Sequence, residues 1–201
     1  MIKKRLFIAI NLPEQVKRKL FEWELKLEQE YGLGEFRGRS INWVIRNNLH
    51  ITLIFIGYAT DDETYEIAKQ MKEVAKNHKQ FFINLEKIIL GPAYDKSSAG
   101  KPPSQRMFWV QGGKSQELAD LQNDLNEEIQ QLGGTKYNAF RPHINLARFK
   151  SNVSRIIKEQ GTIEKKINYQ IPVESIDLMQ SNLKRSGAEY IILERVNLGE
   201  K

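Results

Sequence analysis

The sequence contains no cysteine and no long hydrophobic run. Without cysteine the chain can form no disulfide bond, no thiolate nucleophile and no cysteine-ligated zinc site, and such a composition is typical of a reducing cytoplasm. No stretch approaches the roughly 18 apolar residues that a membrane span requires. The basic segment Met1–Arg5 precedes an apolar stretch that ends by Pro13, which is too short for the core of a signal peptide. We therefore expect a cytoplasmic protein that does not bind membranes. We also expect it to be a monomer.

Two common catalytic signatures are also missing, namely a glycine-rich phosphate loop and a nucleophilic serine elbow. Histidine is scarce, because the chain has only three. Two of them lie in segments that repeat one pattern, Leu49–Leu53 and Pro142–Leu146, in which a small polar residue follows the histidine by two positions. The third, His78, lies in a charged segment typical of a helix end, and we expect it to be solvated.

Strand alternation assigns faces to these side chains. In a strand, His50 and Thr52 share one face, while Leu49, Ile51, Leu53 and Phe55 share the other. His143 and Asn145 share a face in the same way. Either histidine alone is compatible with a structural role in a strand, but the matched pair favours a functional role for both.

Composition suggests the kind of partner. The chain has 201 residues and is 40% hydrophobic, enough for one large domain or two small lobes. Its formal net charge of +6 is compatible with a polyanionic partner such as nucleic acid, or with a solvated basic surface.

The order of predicted elements recurs along the chain. A strand at 5–10 is followed by a helix from Pro13, the first histidine strand at 49–56, a helix at 61–77 and a strand at 81–90. A second series has a strand at 106–110, a helix at 118–132, the second histidine strand at 143–149 and a helix at 151–160, and closing strands are expected at 173–179 and 190–196. A diverged duplication explains this order and would bring the histidine strands together about a pseudo-twofold axis, whereas chance similarity of short strand–helix units is the alternative.

Paired imidazoles suit acid–base chemistry at a phosphate. The neutral ring can take a proton from an attacking water while the protonated ring gives one to the leaving oxygen. Thr52 and Asn145 could donate hydrogen bonds to phosphate oxygens, and no cofactor or metal is required. A shared zinc site has little support, because no acidic or cysteine ligand accompanies the histidines.

Arg148 suits phosphate binding, but its position raises a question. Strict alternation places Arg148 on the face opposite His143. It can join the site only if the strand ends or bulges near Ala147, and otherwise it is a surface arginine at a strand end.

Both histidine segments, together with the opening Arg5–Ile10 and the closing Ser181–Leu183, Tyr190 and Leu193–Arg195, resemble the RNA 2′,3′-cyclic phosphodiesterases. These enzymes were formerly described as 2′-5′ RNA ligases and belong to the two-histidine phosphoesterase superfamily. The resemblance spans essentially all of 1–201 and implies one two-lobed α+β domain, with the site in a cleft between two antiparallel sheets and helices outside.

The resemblance also implies metal-free opening of RNA 2′,3′-cyclic phosphate ends to 2′-phosphomonoesters. It implies that His50 protonates the leaving 3′ oxygen, that His143 activates water, and that Thr52, Asn145 and Arg148 hold the phosphate. Asn145 departs from the threonine or serine of the family, and we expect phosphate binding to survive with altered turnover or substrate preference.

Two other functions remain open at this stage. The chain could bind RNA ends or nucleotides with weakened catalysis, or it could join RNA ends through a 2′-5′ bond by the reverse reaction. Candidate base-stacking residues are Phe36, Trp43, Tyr94 and Phe140, and basic residues in 35–48 and 96–106 could form a rim for RNA, although all of these could equally serve packing or solvation.

Overall fold

The computed structural model describes residues 3–93, 104–131, 141–161, 163–184 and 187–199. Within them the elements are, in chain order, β1 (Lys4–Asn11), α1 (Glu14–Glu30), β2 (Ile41–Trp43), β3 (His50–Ala59), α2 (Asp61–Lys76), β4 (Phe81–Ala93), β5 (Ser104–Gly112), α3 (Gln116–Gln131), β6 (His143–Phe149), α4 (Ser151–Glu159), β7 (Glu164–Val173), β8 (Ser175–Lys184) and β9 (Gly187–Asn197). None of the described helices is long and apolar enough to cross a membrane.

The strands form one antiparallel sheet in the order β7-β4-β5-β6-β3-β1-β8-β9, with β2 added beside β6. The histidine strands β3 and β6 lie at its centre, where Ile51 pairs with Ile144 in the only register pair between them among the described residues. Four strands lie on each side of this junction. The expected α+β class is therefore confirmed, and the two expected antiparallel sheets are halves of a sheet that is continuous through Ile51 and Ile144.

The two halves repeat the same arrangement outward from the junction. Strands β3, β1, β8 and β9 in one half correspond to β6, β5, β4 and β7 in the other. Strand β4 follows β3 in the chain, but it lies in the half of the sheet that contains β6. Strand β8 follows β6 in the chain, but it lies in the half that contains β3. Ala9 pairs with Thr52 in one half, and Trp109 pairs with Asn145 in the other. Ala9 and Trp109 therefore occupy equivalent positions. Aligning Arg5–Ala9 with Arg106–Val110 by sequence similarity would instead place Phe7 opposite Phe108, one residue out of step.

Each of the predicted helices is present, and each buries apolar residues along one face. The stripe of α3 is buried at Leu118, Leu121, Leu125 and Ile129. Helix α2 begins with a capping box in which the Thr60 side chain accepts from the Glu63 N–H and the Glu63 carboxylate accepts from the Thr60 N–H. Leu132, the last residue of the predicted helix, lies outside the described residues.

Several predicted strand bounds were wrong. Strand β3 continues through Gly57, whose φ of 97° suits glycine, and β4 extends to Ala93 rather than Leu90. The strand expected at 173–179 is two strands, because β7 ends at Val173 and β8 begins at Ser175. Among the described residues β7 pairs only with β4, and it leaves alternate polar side chains exposed, so its sequence has no apolar run to mark it.

Candidate active site

His50 begins β3 and is held by two hydrogen bonds. Its Nδ1 lies 2.6 Å from the carbonyl oxygen of Asn48, and its Nε2 lies 2.9 Å from Oγ1 of Thr52. A carbonyl oxygen only accepts, so Nδ1 carries the proton in the neutral ring. Nε2 is then unprotonated and accepts from the Thr52 hydroxyl. The prediction that His50 and Thr52 share a face is confirmed.

Aromatic rings surround the His50 imidazole. The Phe7 ring centroid lies 5.1 Å from it, and the Tyr190 ring meets it edge-on at 5.3 Å. Burial lowers the pKa of His50, an effect that the hydrogen bond to Asn48 opposes and that the nearby charges of His143 and Lys17 reinforce. His50 is therefore neutral at pH 7 when no anion is bound.

His143 begins β6 and is oriented in a related way. Its Nδ1 lies 2.8 Å from the carbonyl oxygen of Arg141, so Nδ1 donates and Nε2 is free to accept a proton. The Trp109 indole stacks on the imidazole with ring centroids 3.8 Å apart. Burial lowers the pKa of His143, while the hydrogen bond to Arg141 raises it. Both histidines are thus neutral, with Nε2 as the available base.

The Ile51–Ile144 pair relates the two histidines to each other. In this antiparallel register His50 and Asn145 flank the pair on one side, and Thr52 and His143 flank it on the other. His50 and His143 are therefore diagonal neighbours on one face, and side chains in this relation lie roughly 7–8 Å apart. The charge of His143 acts on the pKa of His50, as expected of close neighbours.

A bulge in β6 decides the position of Arg148. Trp109 pairs with Asn145 and Phe108 pairs with Ala147, so Leu146 has no partner on β5. Leu146 and Ala147 are both buried, and the alternation after them is reversed. Arg148 consequently lies on the same face as His143. The bulge near Ala147 that the sequence analysis required for this placement is present.

The same bulge in β3 overturns the prediction for Phe55. Ala9 pairs with Thr52 and Ile8 with Ile54, so Leu53 is the extra residue, and both Leu53 and Ile54 are buried. Phe55 is 46% exposed and its ring lies 6.2 Å from Phe7, on the His50 face. The prediction that Phe55 lies on the face opposite His50 was wrong because it assumed unbroken alternation. Phe55 is the counterpart of Arg148 in the other half of the sheet.

A cavity of about 150 Å³ lies against three of the predicted site residues, His50, Asn145 and Arg148, whereas Thr52 and His143 are not part of its lining. It is lined by His50, Asn145, Arg148, Val44, Asn48, Met107, Ala147 and Tyr190. Oδ1 of Asn145 is buried and has no hydrogen-bond partner among the described residues. Leaving such an acceptor unpaired costs about 1–3 kcal/mol, so a ligand that donates to Asn145 would recover part of that cost.

The remaining candidates from the sequence lie elsewhere. His78 is largely covered, with its side chain 12% exposed, and it pairs with Asp124 at 2.8 Å. The prediction that His78 is solvated was therefore wrong, because α3 packs beside the end of α2. Trp43 stacks on Phe108 with centroids 5.6 Å apart, and Phe36 packs against the core. Tyr94 and Phe140 lie outside the described residues.

Sequence reasoning missed the aromatic residues that contact the two histidines. Phe7 and Trp109 were assigned only to the repeated strand pattern, and Tyr190 was noted only in the closing segment of the family resemblance. The cross-strand register carries the missing information, because Trp109 pairs with Asn145 and Phe7 pairs with Phe55. A search for aromatic residues in the strands beside the histidine segments would have found Phe7 and Trp109.

Comparison with known proteins assigns the chain to a family. Residues 29–185 match the model of the 2′-5′ RNA ligase superfamily, and the chain belongs to that superfamily. It is 27% identical over 189 residues to a Thermotoga maritima protein named RNA 2′,3′-cyclic phosphodiesterase, covering 94% of this chain and 92% of that one. The family resemblance drawn from the sequence is confirmed.

Solved structures share the fold. The crystal structure of TT0787 from Thermus thermophilus is similar with a TM-score of 0.76 and 24% identity, covering 97% of this chain and 98% of that one. That of Escherichia coli LigT complexed with 3′-AMP has a TM-score of 0.71 and 23% identity, covering 99% and 100%.

Proposed function

We propose that this protein is an RNA 2′,3′-cyclic phosphodiesterase that hydrolyses the cyclic end to a 2′-phosphomonoester by acid–base catalysis with His50 and His143. The supporting observation is the diagonal placement of the two histidines about the Ile51–Ile144 pair, each with Nδ1 bonded to a backbone carbonyl. The family and the naming of the Thermotoga maritima relative agree with this activity.

His143 is the general base in this proposal. Its Nε2 is unprotonated in the neutral ring, because Nδ1 donates to Arg141. Nε2 takes a proton from water as the water oxygen attacks phosphorus, and the bond between phosphorus and the 3′ oxygen breaks. The lowered pKa keeps Nε2 unprotonated at neutral pH. The Trp109 stack and the Arg141 hydrogen bond hold the ring in one orientation.

His50 is the general acid. It must be protonated at Nε2 to give a proton to the 3′ oxygen, although burial lowers its pKa and favours the neutral ring. A bound phosphate anion offsets that effect, because a nearby negative charge favours imidazolium. Nδ1 remains bonded to Asn48 in both states, so only Nε2 exchanges its proton. Substrate binding therefore favours the protonated form of His50 that acts as the general acid.

Thr52, Asn145 and Arg148 bind the phosphate. Arg148 has no ion pair among the described residues, so its guanidinium is available for a bidentate contact to phosphate oxygens. The carboxamide of Asn145 offers N–H donors to a phosphate oxygen, and its unpaired Oδ1 can accept from the attacking water or from a ribose hydroxyl. The Oγ1 of Thr52 lies 2.9 Å from Nε2 of His50, so in this proposal its hydroxyl lies beside the phosphate that His50 acts on.

RNA ends are the proposed partner. The cavity of about 150 Å³ suits a phosphate with part of its ribose rather than a whole nucleotide. The exposed ring of Phe55 offers a surface on which a base can stack, and stacking is tolerant of base identity. Recognition through the phosphate and a stacked base would accept RNA ends of varied sequence.

The test is incubation with a short RNA that ends in a 2′,3′-cyclic phosphate, in the presence of EDTA, followed by identification of the phosphate position. We expect a 2′-phosphate, and we expect His50→Gln and His143→Gln each to reduce kcat at least about a hundredfold. His78→Gln is the matched control and should leave kcat unchanged. Loss of activity on chelation, or a 3′-phosphate product, would refute the proposal. Addition of RNA with a free 5′ hydroxyl would reveal joining through a 2′-5′ bond.

A further inference from the structure

A second and larger cavity adjoins the one beside His50. It measures about 530 Å³, whereas the first measures about 150 Å³. The two share Val44, Asn48, Arg148 and Tyr190 in their linings, so they are direct neighbours. The first volume falls below the usual range of pockets that enclose an organic ligand, and the second falls inside it.

We call the larger cavity the β2 groove, after the strand that forms its floor. It is lined by Arg37, Gly38, Ile41, Asn42, Trp43, Val44, Ile45, Asn48, Arg148, Ala188 and Tyr190.

The backbone of the β2 groove is fixed before any ligand binds. Asn42 pairs with Arg148 across β2 and β6, and the Val44 N–H donates to the carbonyl oxygen of Leu146 at 2.7 Å. On the far side, Nδ2 of Asn48 donates to the carbonyl oxygen of Ala188 at 2.7 Å and links the two walls. A preformed groove spares a ligand the cost of ordering it.

The chemistry of the groove suits a nucleotide. Its lining includes two arginines and no carboxylate side chain. Arg37 is paired with Glu28 and Glu24, which offset its charge, and only its Nη1 group has no partner among the described residues. Arg148, which has no ion pair among the described residues, is therefore the cation that a phosphodiester would meet. Ile45 is 60% exposed, and together with the ring of Trp43 it gives the groove an apolar surface.

We infer that the β2 groove binds the nucleotide on the 5′ side of the cyclic phosphate end. This inference rests on the proposed function and deepens it. Arg148 lines both cavities, so in this proposal it contacts the reacting phosphate and the next phosphodiester along the chain. The protein therefore selects oligonucleotide ends over mononucleoside cyclic phosphates, and we expect kcat/KM to be at least about tenfold higher for a dinucleotide.

Charge substitutions at Ile45 test the inference. The readout is the ratio of kcat/KM for a dinucleotide with a 2′,3′-cyclic phosphate to that for a mononucleoside 2′,3′-cyclic phosphate. We expect Ile45→Glu to lower this ratio roughly tenfold by repelling the extra phosphodiester, and Ile45→Lys to raise it. Both effects should shrink in high salt. Phe82→Glu is the matched control, because Phe82 is 59% exposed and lies outside both cavities.

Two outcomes would overturn the inference: an unchanged ratio in both Ile45 variants, or a change of the same sign in both. Calorimetry can compare the Kd of a 3′-phosphorylated dinucleotide with that of a nucleoside 3′-phosphate. The difference measures the contribution of the β2 groove to binding without turnover. A wild-type protein that binds the dinucleotide more tightly but hydrolyses neither substrate would refute the proposed function and leave the groove supported.

Discussion

The indole of Trp109 lies nearly parallel to the imidazole of His143, with ring centroids 3.8 Å apart and planes inclined by 22°. Trp109 in turn packs directly on the backbone of Gly91 in β4. A Cβ atom at Gly91 would lie 2.3 Å from Cγ and Cδ2 of the indole, closer than real contacts allow. In the other half, the equivalent of Trp109 is Ala9, and Phe7 contacts His50 instead. Gly91 therefore makes the room that the Trp109–His143 stack requires.

Replacement of Gly91 by alanine tests this arrangement. The added methyl group must displace the Trp109 ring, and His143 then loses the surface that orients it. We expect Gly91→Ala to lower kcat by roughly tenfold to a hundredfold with a smaller effect on KM, since a misplacement of about 1 Å can cost that much. Initial rates on a cyclic-phosphate RNA measure both constants.

The control for this substitution is Gly34→Ala, because a Cβ atom at Gly34 meets no atom within 4 Å. NMR titration of His143 distinguishes a positioning role of Trp109 from a general loss of structure. If Trp109 covers the imidazole, both Gly91→Ala and Trp109→Ala should move the His143 pKa back towards about 6.5, because the ring regains water. An unchanged His143 pKa together with an unchanged kcat would contradict the positioning role.

The pH dependence of kcat/KM follows from the two lowered histidine pKa values. Catalysis requires one protonated and one neutral ring, and that state is most populated between the two macroscopic pKa values. Burial holds both below the ordinary value of about 6.5 in the free protein. We expect kcat/KM to be maximal below about pH 6.5, and kcat to remain high at more alkaline pH because bound phosphate raises the pKa of His50. A kcat/KM maximum above about pH 7 would contradict this.

Stability should follow the same two groups. A histidine with a folded-state pKa below its unfolded value binds protons more readily when the chain unfolds. His50 and His143 therefore leave the fold most stable above about pH 6.5, and stability falls as the pH drops through their folded pKa values. Urea unfolding between about pH 7.5 and about pH 5 should show this fall, and the His50→Gln, His143→Gln double variant should show a smaller one. Parallel curves for the two proteins would disprove the linkage.

Much of this fold could be predicted from local patterns. The stripe in α3 and the paired polar positions after His50 and His143 are set by residues close in sequence, so periodicity reveals them. The exchange of β4 and β8 between the halves is a long-range pairing, and no local pattern encodes it. Tyr190 reaches His50 from the far end of the chain for the same reason.

The bulges mark the boundary between what the sequence predicts and what it does not. Two adjacent buried residues, Leu53–Ile54 and Leu146–Ala147, interrupt alternation at equivalent positions. Such a pair also occurs in ordinary strands, so it signals a bulge only when cross-strand register is known. Arg148 could be placed conditionally from sequence, whereas Phe55 was misplaced.

Asn145 stands where the family resemblance leads us to expect threonine or serine, and its replacement by threonine tests what the amide does. A threonine hydroxyl can donate to a phosphate oxygen from a shorter side chain, and it removes the buried, unpaired Oδ1. We expect Asn145→Thr to change kcat about threefold or more while phosphate binding is retained. Rates on cyclic-phosphate RNA and the Kd for a 3′-phosphorylated dinucleotide provide the measurement. Identical kinetics in the two proteins would show that Asn145 is equivalent to threonine.

A buried ion pair stabilises the half of the sheet that carries His50. Asp177 is 1% exposed and accepts from Nε of Arg195 at 2.7 Å and from Nη2 at 3.0 Å. Nδ2 of Asn11, which pairs with His50 in the β1–β3 register, donates to the same carboxylate. The Asp177 carboxylate therefore joins β1, β8 and β9 in the same sheet as β3, the strand that positions His50.

Replacement of Arg195 by alanine tests the contribution of this ion pair. Arg195→Ala leaves the carboxylate of Asp177 buried without its cation, and we expect it to lower the free energy of unfolding by about 3 kcal/mol. This value is at the low end for a broken buried pair, because Arg195 itself is half exposed. Lys72→Ala, which breaks the exposed pair with Glu194, should cost less than about 1 kcal/mol in the same urea titration. Equal losses in the two variants would mean that Asp177 remains solvated or paired without Arg195.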